Sequence, residues 1–265
     1  MTLYPNCPTL FDALQVALLH CYHDPGLMMP EMTVVTAAQT DRDYAELTAG
    51  MQALARRLPD PAEVVVSALP LADAVAEAVQ QYQPLLLAMG LSQESDFLDK
   101  LLGNQVLPVL RATHYPLLLV PEAAPVPIVP RRVVLALDVE PFHLSAAGQH
   151  LGPLLAGWQA AYTVTHVMDG QEPVSPPPRM DLAAVRARGV LPPNALLRLH
   201  QELAATAADG ILQAQMDNQA DLIALIIRPR SFLGRRFHHS VTADVLRSSP
   251  VPVLLVPADA SDLPD

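Results

Sequence analysis

Cysteine is scarce: the 265 residues hold 2, Cys7 and Cys21. Two cysteines in one half of a chain make neither a disulfide framework nor a paired C-x-x-C metal site, so a reducing compartment, the cytoplasm, is expected. Aromatic residues are few as well, at 5%, which leaves an aliphatic interior of sheets and helices as the way to build a core. Charged residues make up 16% against 51% hydrophobic ones, a balance that excludes a disordered chain. Basic residues number 16 against 27 acidic ones, for a formal net charge of −11. That sign repels phosphate backbones and anionic lipid, so neither nucleic acid nor a membrane surface is an expected partner. No apolar run reaches the length of about 18 residues that a membrane span needs. Met1 to Pro8 has no basic segment followed by an apolar core, so no leader is expected. A G-x-S-x-G elbow, a G-x-x-x-x-G-K-[ST] loop and an H-E-x-x-H helix are all missing, which removes the usual signatures of hydrolases, phosphate-loop enzymes and zinc proteases.

What the chain does contain, twice, is one stretch. Val109 to Pro121 reads V-L-R-A-T-H-Y-P-L-L-L-V-P and Val245 to Pro257 reads V-L-R-S-S-P-V-P-V-L-L-V-P, with valine-leucine-arginine, proline and leucine-leucine-valine-proline in one register. Each copy joins the end of a helical pattern to a short apolar run bounded by prolines, as a buried strand of a parallel sheet does. The repeat predicts two copies of one α/β unit, residues 1–125 and 126–265, joined through the proline-punctuated stretch Glu122 to Pro130.

In the first half, Met1 to Pro5 reads as strand one and Thr9 to Tyr22 as helix one. Glu31 to Ala38 reads as strand two and Asp41 to Leu58 as helix two, with Arg56 and Arg57 in its last turn. Glu63 to Ala68, Leu71 to Tyr82 and Leu85 to Met89 read as strand three, helix three and strand four, and Pro116 to Val120 closes the series. Such alternation implies a parallel sheet covered by helices, with ligands at the carboxyl ends of the strands. After strand four comes Gly90, and Gly103-Asn104 stands thirteen positions later, where helix four is expected to begin.

This pattern resembles the universal stress protein family in its tandem two-domain form. That family has a glycine after strand four, a second glycine three positions on, and a third, ten further, followed by serine or threonine. Here Gly90 and Gly103 match the first and third, Gln93 stands at the second, and Asn104 replaces the hydroxyl residue. The resemblance also covers the final strand of both halves, Asp221 to Ile223 and Asp138. It implies two doubly wound, Rossmann-like α/β domains, each with a five-stranded parallel sheet, paired through their last strands as an intramolecular pseudo-dimer. It also implies a non-enzymatic stress-response or regulatory role, with an adenine nucleotide, ATP or AMP, as ligand and a protein partner that the sequence does not name. A nucleotide-binding protein with slow ATPase activity and a pure interaction module are the alternatives. Glycines at such a loop allow close backbone approach, and the amides of a helix start attract phosphate. Gln93 crowds that loop and Asn104 suits capping, while Asn6 stands where the family often has an aspartate. A weak first-half site is therefore expected at Asn6, Gly90, Gln93, Gly103 and Asn104.

In the second half, Arg132 to Leu137 reads as strand one, closed by Asp138. Ser145 to Trp158 reads as helix one and Tyr162 to Val167 as strand two. Asp181 to Arg188 and Ala195 to Leu199 read as a short helix and a short third strand. Thr206 to Asn218 reads as helix three with Ile211, Leu212 and Met216 on its apolar side, and Leu222 to Ile227 as strand four. The loop that follows has Arg228 and Arg230 where the glycines should begin and His239-Ser240 where Gly103-Asn104 stands in the first half. Its arginines can bind an anion, or its Phe232, Leu233 and Phe237 can cover the crevice while the arginines stay in water. Ser240 is expected to cap the helix Val241 to Arg247 in either case. The second half is thus expected to be closed to nucleotide, its degenerate site being Asp138, Arg228, Arg230, His239 and Ser240. His20 and His23, or His143 and His150, could be neighbours on helices, but without acidic partners no metal site is expected.

Overall fold

The computed structural model describes residues 15–22, 37–58, 62–91, 102–125, 129–138, 142–169, 182–187, 189–228 and 241–259. The chain divides into two compact units, Met1–Gln83 and Pro84–Asp265.

In the first unit β1 (Ala17–Cys21) runs parallel to β2 (Glu63–Ser67), with Leu19 opposite Val65. The helix expected over Thr9 to Tyr22 is therefore a strand in its last part, paired with β2. A five-residue run such as Ala-Leu-Leu-His-Cys carries too little periodicity to separate helix from strand, and pairing with β2 decides. Residues 1–5 and 31–36 lie outside the described residues; Ala37 and Ala38 open α1 (Ala37–Ala55) instead of closing a strand. Alanine's helix propensity carries that start ahead of Asp41, and Arg56 and Arg57 fall in the turn after the helix. α2 (Leu71–Tyr82) spans the expected residues, buries Ala74, Val75 and Val79, and ends where Gln83 turns left-handed and donates its N–H to Val79 O at 2.9 Å. The Tyr82 hydroxyl donates to Glu63 Oε1 at 2.7 Å, tying the end of α2 to the start of β2.

The second unit opens with β3 (Leu87–Leu91), a π-helical turn (Leu102–Val106), α3 (Leu107–Thr113) and β4 (Leu117–Pro121). Then come β5 (Arg132–Ala136), β6 (His143–Leu144), α4 (Ala146–Gln149), α5 (Gly152–Trp158) and β7 (Ala161–Asp169). The chain continues through α6 (Leu182–Ala187), β8 (Leu196–Ala204), α7 (Ala207–Asp217), β9 (Leu222–Ile227), α8 (Val241–Ser248) and β10 (Val253–Asp259). One sheet runs in the order β3-β4-β10-β9-β5-β7-β8, with β6 beside the far end of β10. Along that path each pair is parallel except β4 with β10.

The exception joins the two copies of the repeat. Leu254 lies opposite Leu118, Val253 opposite Leu119 and Leu255 opposite Leu117. Leu118 and Leu254 are equivalent positions of the repeat, so each copy offers the other the same residues, as an isologous contact requires. Leu110, Leu117 and Leu119 from the first copy share one buried cluster with Leu246, Val253 and Leu255 from the second.

Elsewhere local chemistry adjusts the expected elements. The helix expected over Ser145 to Trp158 is two, α4 and α5, because Pro153 has no N–H to give and its ring opposes the carbonyl of Gln149. Ser145 caps α4, accepting from the Gly148 N–H at 3.0 Å. β8 continues to Ala204, paired with β7 over its whole length; its polar residues are tolerated because it ends the described sheet. α7 buries Ala208, Ile211, Ala214 and Gln215, which turns Met216 out to solvent. Asp221 Oδ2 accepts from the backbone N–H groups of Arg131 and Arg132, both at 2.9 Å, and so fixes the entry of β9 beside β5.

Two packing details lead to measurable outcomes. A Cβ on Gly210 would lie 2.5 and 2.7 Å from the two methyls of Val167. Gly210→Ala gains about 1 kcal/mol of helix propensity but overpacks this contact at a cost of about 1 to 3 kcal/mol. We expect a net loss of about 1 kcal/mol in urea unfolding, and a gain from the same change in a Val167→Ala background; loss in both would show that Val167 is not the obstacle. The second detail is Tyr162, buried, with its hydroxyl donating to Leu155 O at 3.0 Å. Burial raises its phenol from 10.0 to about 12. The folded state thus favours the protonated form, so this contribution is complete below pH 10 and is lost as pH rises toward 12. The loss is on the order of 2 kcal/mol, and Tyr162→Phe should flatten that part of the stability profile.

Candidate functional site

The described first-half residues sit differently from the expected loop. Gly90 is not past the end of the strand but inside β3, opposite Val120. Its conformation is not left-handed, and a Cβ on it would meet nothing within 4 Å. Gly103 and Asn104 lie inside the π-helical turn, so Asn104 does not cap the helix that follows; α3 starts after Val106, with a proline in its first turn. Buried Leu102 and Val106 pin that turn, and a proline suits a first helical turn because its missing N–H is not needed there. Asn6 and Gln93 lie outside the described residues. His20 is on β1 and His143 on β6, so neither is on a helix. Cys21 is free and half-buried, and burial pushes its thiol up, away from the reactive thiolate.

In the second half a cleft of about 370 Å³ opens at the carboxyl ends of β5, β7 and β9, against the starts of α7 and α8. The chain runs outward from β5 through β7 to β8, then returns to the other side of β5 for β9 and β10. The cleft therefore lies where the winding reverses, the usual crevice of a doubly wound sheet. Asp138 follows β5 and Arg228 follows β9. Arg228 Nη1 donates to Asp138 Oδ2 at 2.7 Å and Nη2 to Oδ1 at 2.5 Å, a two-pronged pair. The Arg228 side chain is 21% exposed and that of Asp138 53%. Deeper, Thr165 is 1% exposed and its Oγ1 has no hydrogen-bond partner among the described residues. Next to it His166 places Nδ1 3.2 Å from Leu137 O. Neighbours on a strand point to opposite faces, so Thr165 and His166 do not make a hydroxyl-imidazole pair.

Of the second-half residues read from the sequence, the structure brings Asp138 and Arg228 together; Arg230, His239 and Ser240 lie outside the described residues. The pairing itself was available from register: Ala136 faces Leu225, so two residues further on Asp138 comes level with Ile227, next to Arg228. Thr165 and His166 carried no sequence signal, since both are ordinary strand residues.

The universal stress protein family model matches residues 130–257. Those residues form a universal stress protein domain. The fold of the chain is similar to that of a universal stress protein from Archaeoglobus fulgidus DSM 4304, with TM-score 0.61 and 18% identity, over 94% of this chain and 87% of that one. It is also similar to a functionally unknown protein from Pseudomonas aeruginosa PAO1, with TM-score 0.53 and 14% identity, over 92% of this chain and 82% of that one. No curated protein matches the chain in sequence. Among the described residues no helix is long and apolar enough to cross a membrane.

The open surroundings of Gly90 give a direct test of whether this chain needs a glycine there for its own packing. Gly90→Ala should leave stability within about 0.5 kcal/mol or raise it slightly, because the unfolded chain loses freedom and the strand loses no contact. A larger loss in thermal unfolding would show that the backbone at Gly90 is constrained by the fold.

Proposed function

We propose that the chain is a tandem universal stress protein, with domains at residues 1–125 and 126–265, that acts in the cytoplasm as a non-enzymatic regulator through a protein partner. The observation that carries the reading is the Arg228–Asp138 fork across the second-half cleft. The crevice of a doubly wound domain lies at the carboxyl ends of its strands, and the resemblance to the universal stress protein family implies that a carboxylate at the end of the first strand lies near a nucleotide's base and ribose. Here that carboxylate is engaged on both oxygens by an arginine of the same chain. The same arginine stands in sequence where the phosphate-binding glycines would begin.

Adenine nucleotide, ATP or AMP, is assigned to the first half, at Gly90, Gly103 and Asn104, with micromolar or weaker affinity. Each missing hydrogen bond to a charged group costs about 1.5 to 3 kcal/mol, and the serine or threonine donor is replaced there by Asn104. The non-enzymatic part of the reading is supported by the cleft's residues: a buried threonine, an imidazole facing a backbone carbonyl and an ion pair do not supply a nucleophile with its base.

Labelled ATP titrated into the full chain and two variants tests this. Arg228→Ala should leave nucleotide affinity unchanged within a factor of about two, and Gly103→Val should lower it at least about tenfold, which corresponds to 1.4 kcal/mol. Binding that Arg228→Ala strengthens or abolishes, with Gly103→Val silent, would move the nucleotide to the second half. Steady release of phosphate from ATP with magnesium by the purified chain, lost in Gly103→Val, would overturn the non-enzymatic reading.

A further inference from the structure

We infer that His200, Glu202 and Asp217 form a binding site for a divalent transition-metal ion of the zinc type, away from the cleft. The site follows from the pairing of one strand with one helix. Alternation along β8 puts His200, Glu202 and Ala204 on one face. α7 packs along that face, as the 3.2 Å approach of Ala204 to a Cβ at Gly210 fixes. α7 begins three residues after β8 ends and runs back along it, which brings Asp217, its last residue, level with the middle of the strand.

One ligand atom from each of the three side chains lies within 4.8 Å of the others. His200 Nε2 is already 2.8 Å from Glu202 Oε2. Bonds of about 2.0 to 2.2 Å to zinc in tetrahedral geometry set ligand atoms about 3.4 Å apart. Rotamer adjustments of well under 2 Å therefore convert the observed arrangement into a coordination sphere. Gln213 Nε2 donates to Asp217 Oδ1 at 2.8 Å, holding that carboxylate in place and leaving its second oxygen to the ion. The His200 and Glu202 side chains are 29% and 20% exposed, so the site is partly desolvated yet open to a water as fourth ligand.

Charge argues the same way. A divalent cation placed between Glu202 and Asp217 offsets the repulsion of two neighbouring carboxylates. Nitrogen and carboxylate donors without thiolate suit zinc among the common metals and disfavour copper(I).

Zinc chloride titrated calorimetrically into the full-length chain should give one saturable site of micromolar affinity. His200→Ala, Glu202→Gln and Asp217→Asn should each weaken it at least about tenfold, and Gln213→Ala, through orientation of Asp217, about tenfold. His143→Ala, which removes an exposed histidine on β6, should leave it unchanged. Cobalt(II) should compete and should give the intense visible bands of a four-coordinate ion. Absence of saturable binding overturns the proposal, as does a site indifferent to His200→Ala or to both carboxylate variants. Asp217 is exposed at a helix end, so Asp217→Asn folds as the parent does and decides the matter alone if His200→Ala does not fold.

Discussion

The antiparallel seam between β4 and β10 is the constraint on which the second unit depends. Both strands are apolar on both faces, with Leu117, Leu119, Val253 and Leu255 fully buried. A strand of that composition at a sheet edge would offer unpaired backbone and hydrophobic surface to any other chain. Pairing the two copies with each other removes both edges at once. It also explains why the repeat is sharpest in these strands: an isologous pair centred on Leu118 and Leu254 needs the same side-chain volumes on either side. Fully burying one such side chain is worth about 1.5 to 3 kcal/mol, so the seam outweighs any single polar contact at the surface.

The seam also sets where chemistry can occur. With β10 held against β4, the order β10-β9-β5 is fixed, and the winding can reverse only between β9 and β5. Asp221, bound to the N–H groups of Arg131 and Arg132, secures the opposite end of that same pair of strands. The two strands that carry Asp138 and Arg228 are thus fastened at their starts and converge on the cleft at their ends. Two fixed strand ends are what allow an arginine fork to meet a carboxylate on both oxygens.

Much of this was legible in the residues, for reasons that differ by element. Strand Leu222–Ile227 and helix Leu71–Tyr82 came out at their observed bounds because each has a full period of its own, a continuous β-rich run in one case and Val75 with Val79 on one face in the other. β1 did not, because five residues fit either period and only the partner strand decides. The break at His150 was written in Pro153, a signal that a continuous apolar pattern hid. The site was half legible. Asp138 and Arg228 were visible as types at strand ends, but their contact depends on register, which is a property of two strands together. Gly90 was misplaced for the same reason: pairing with Val120 extends β3 two residues beyond the point where the apolar run alone would end it.

An arginine at the end of β9 also makes electrostatic sense of the cleft in a chain with net charge −11. A carboxylate at the mouth of a crevice is stable when water or a ligand's hydroxyls solvate it, and becomes costly as the crevice narrows and water leaves. A phosphate loop brings amide donors and glycines, and leaves the carboxylate to the ligand. At the end of β9 stands Arg228, whose two terminal nitrogens donate to both oxygens of Asp138 and solvate that carboxylate from within the chain. Half-exposed pairs of this kind add little to stability, of the order of 1 kcal/mol or less. Their effect lies in occupancy, because both Asp138 oxygens already accept from Arg228.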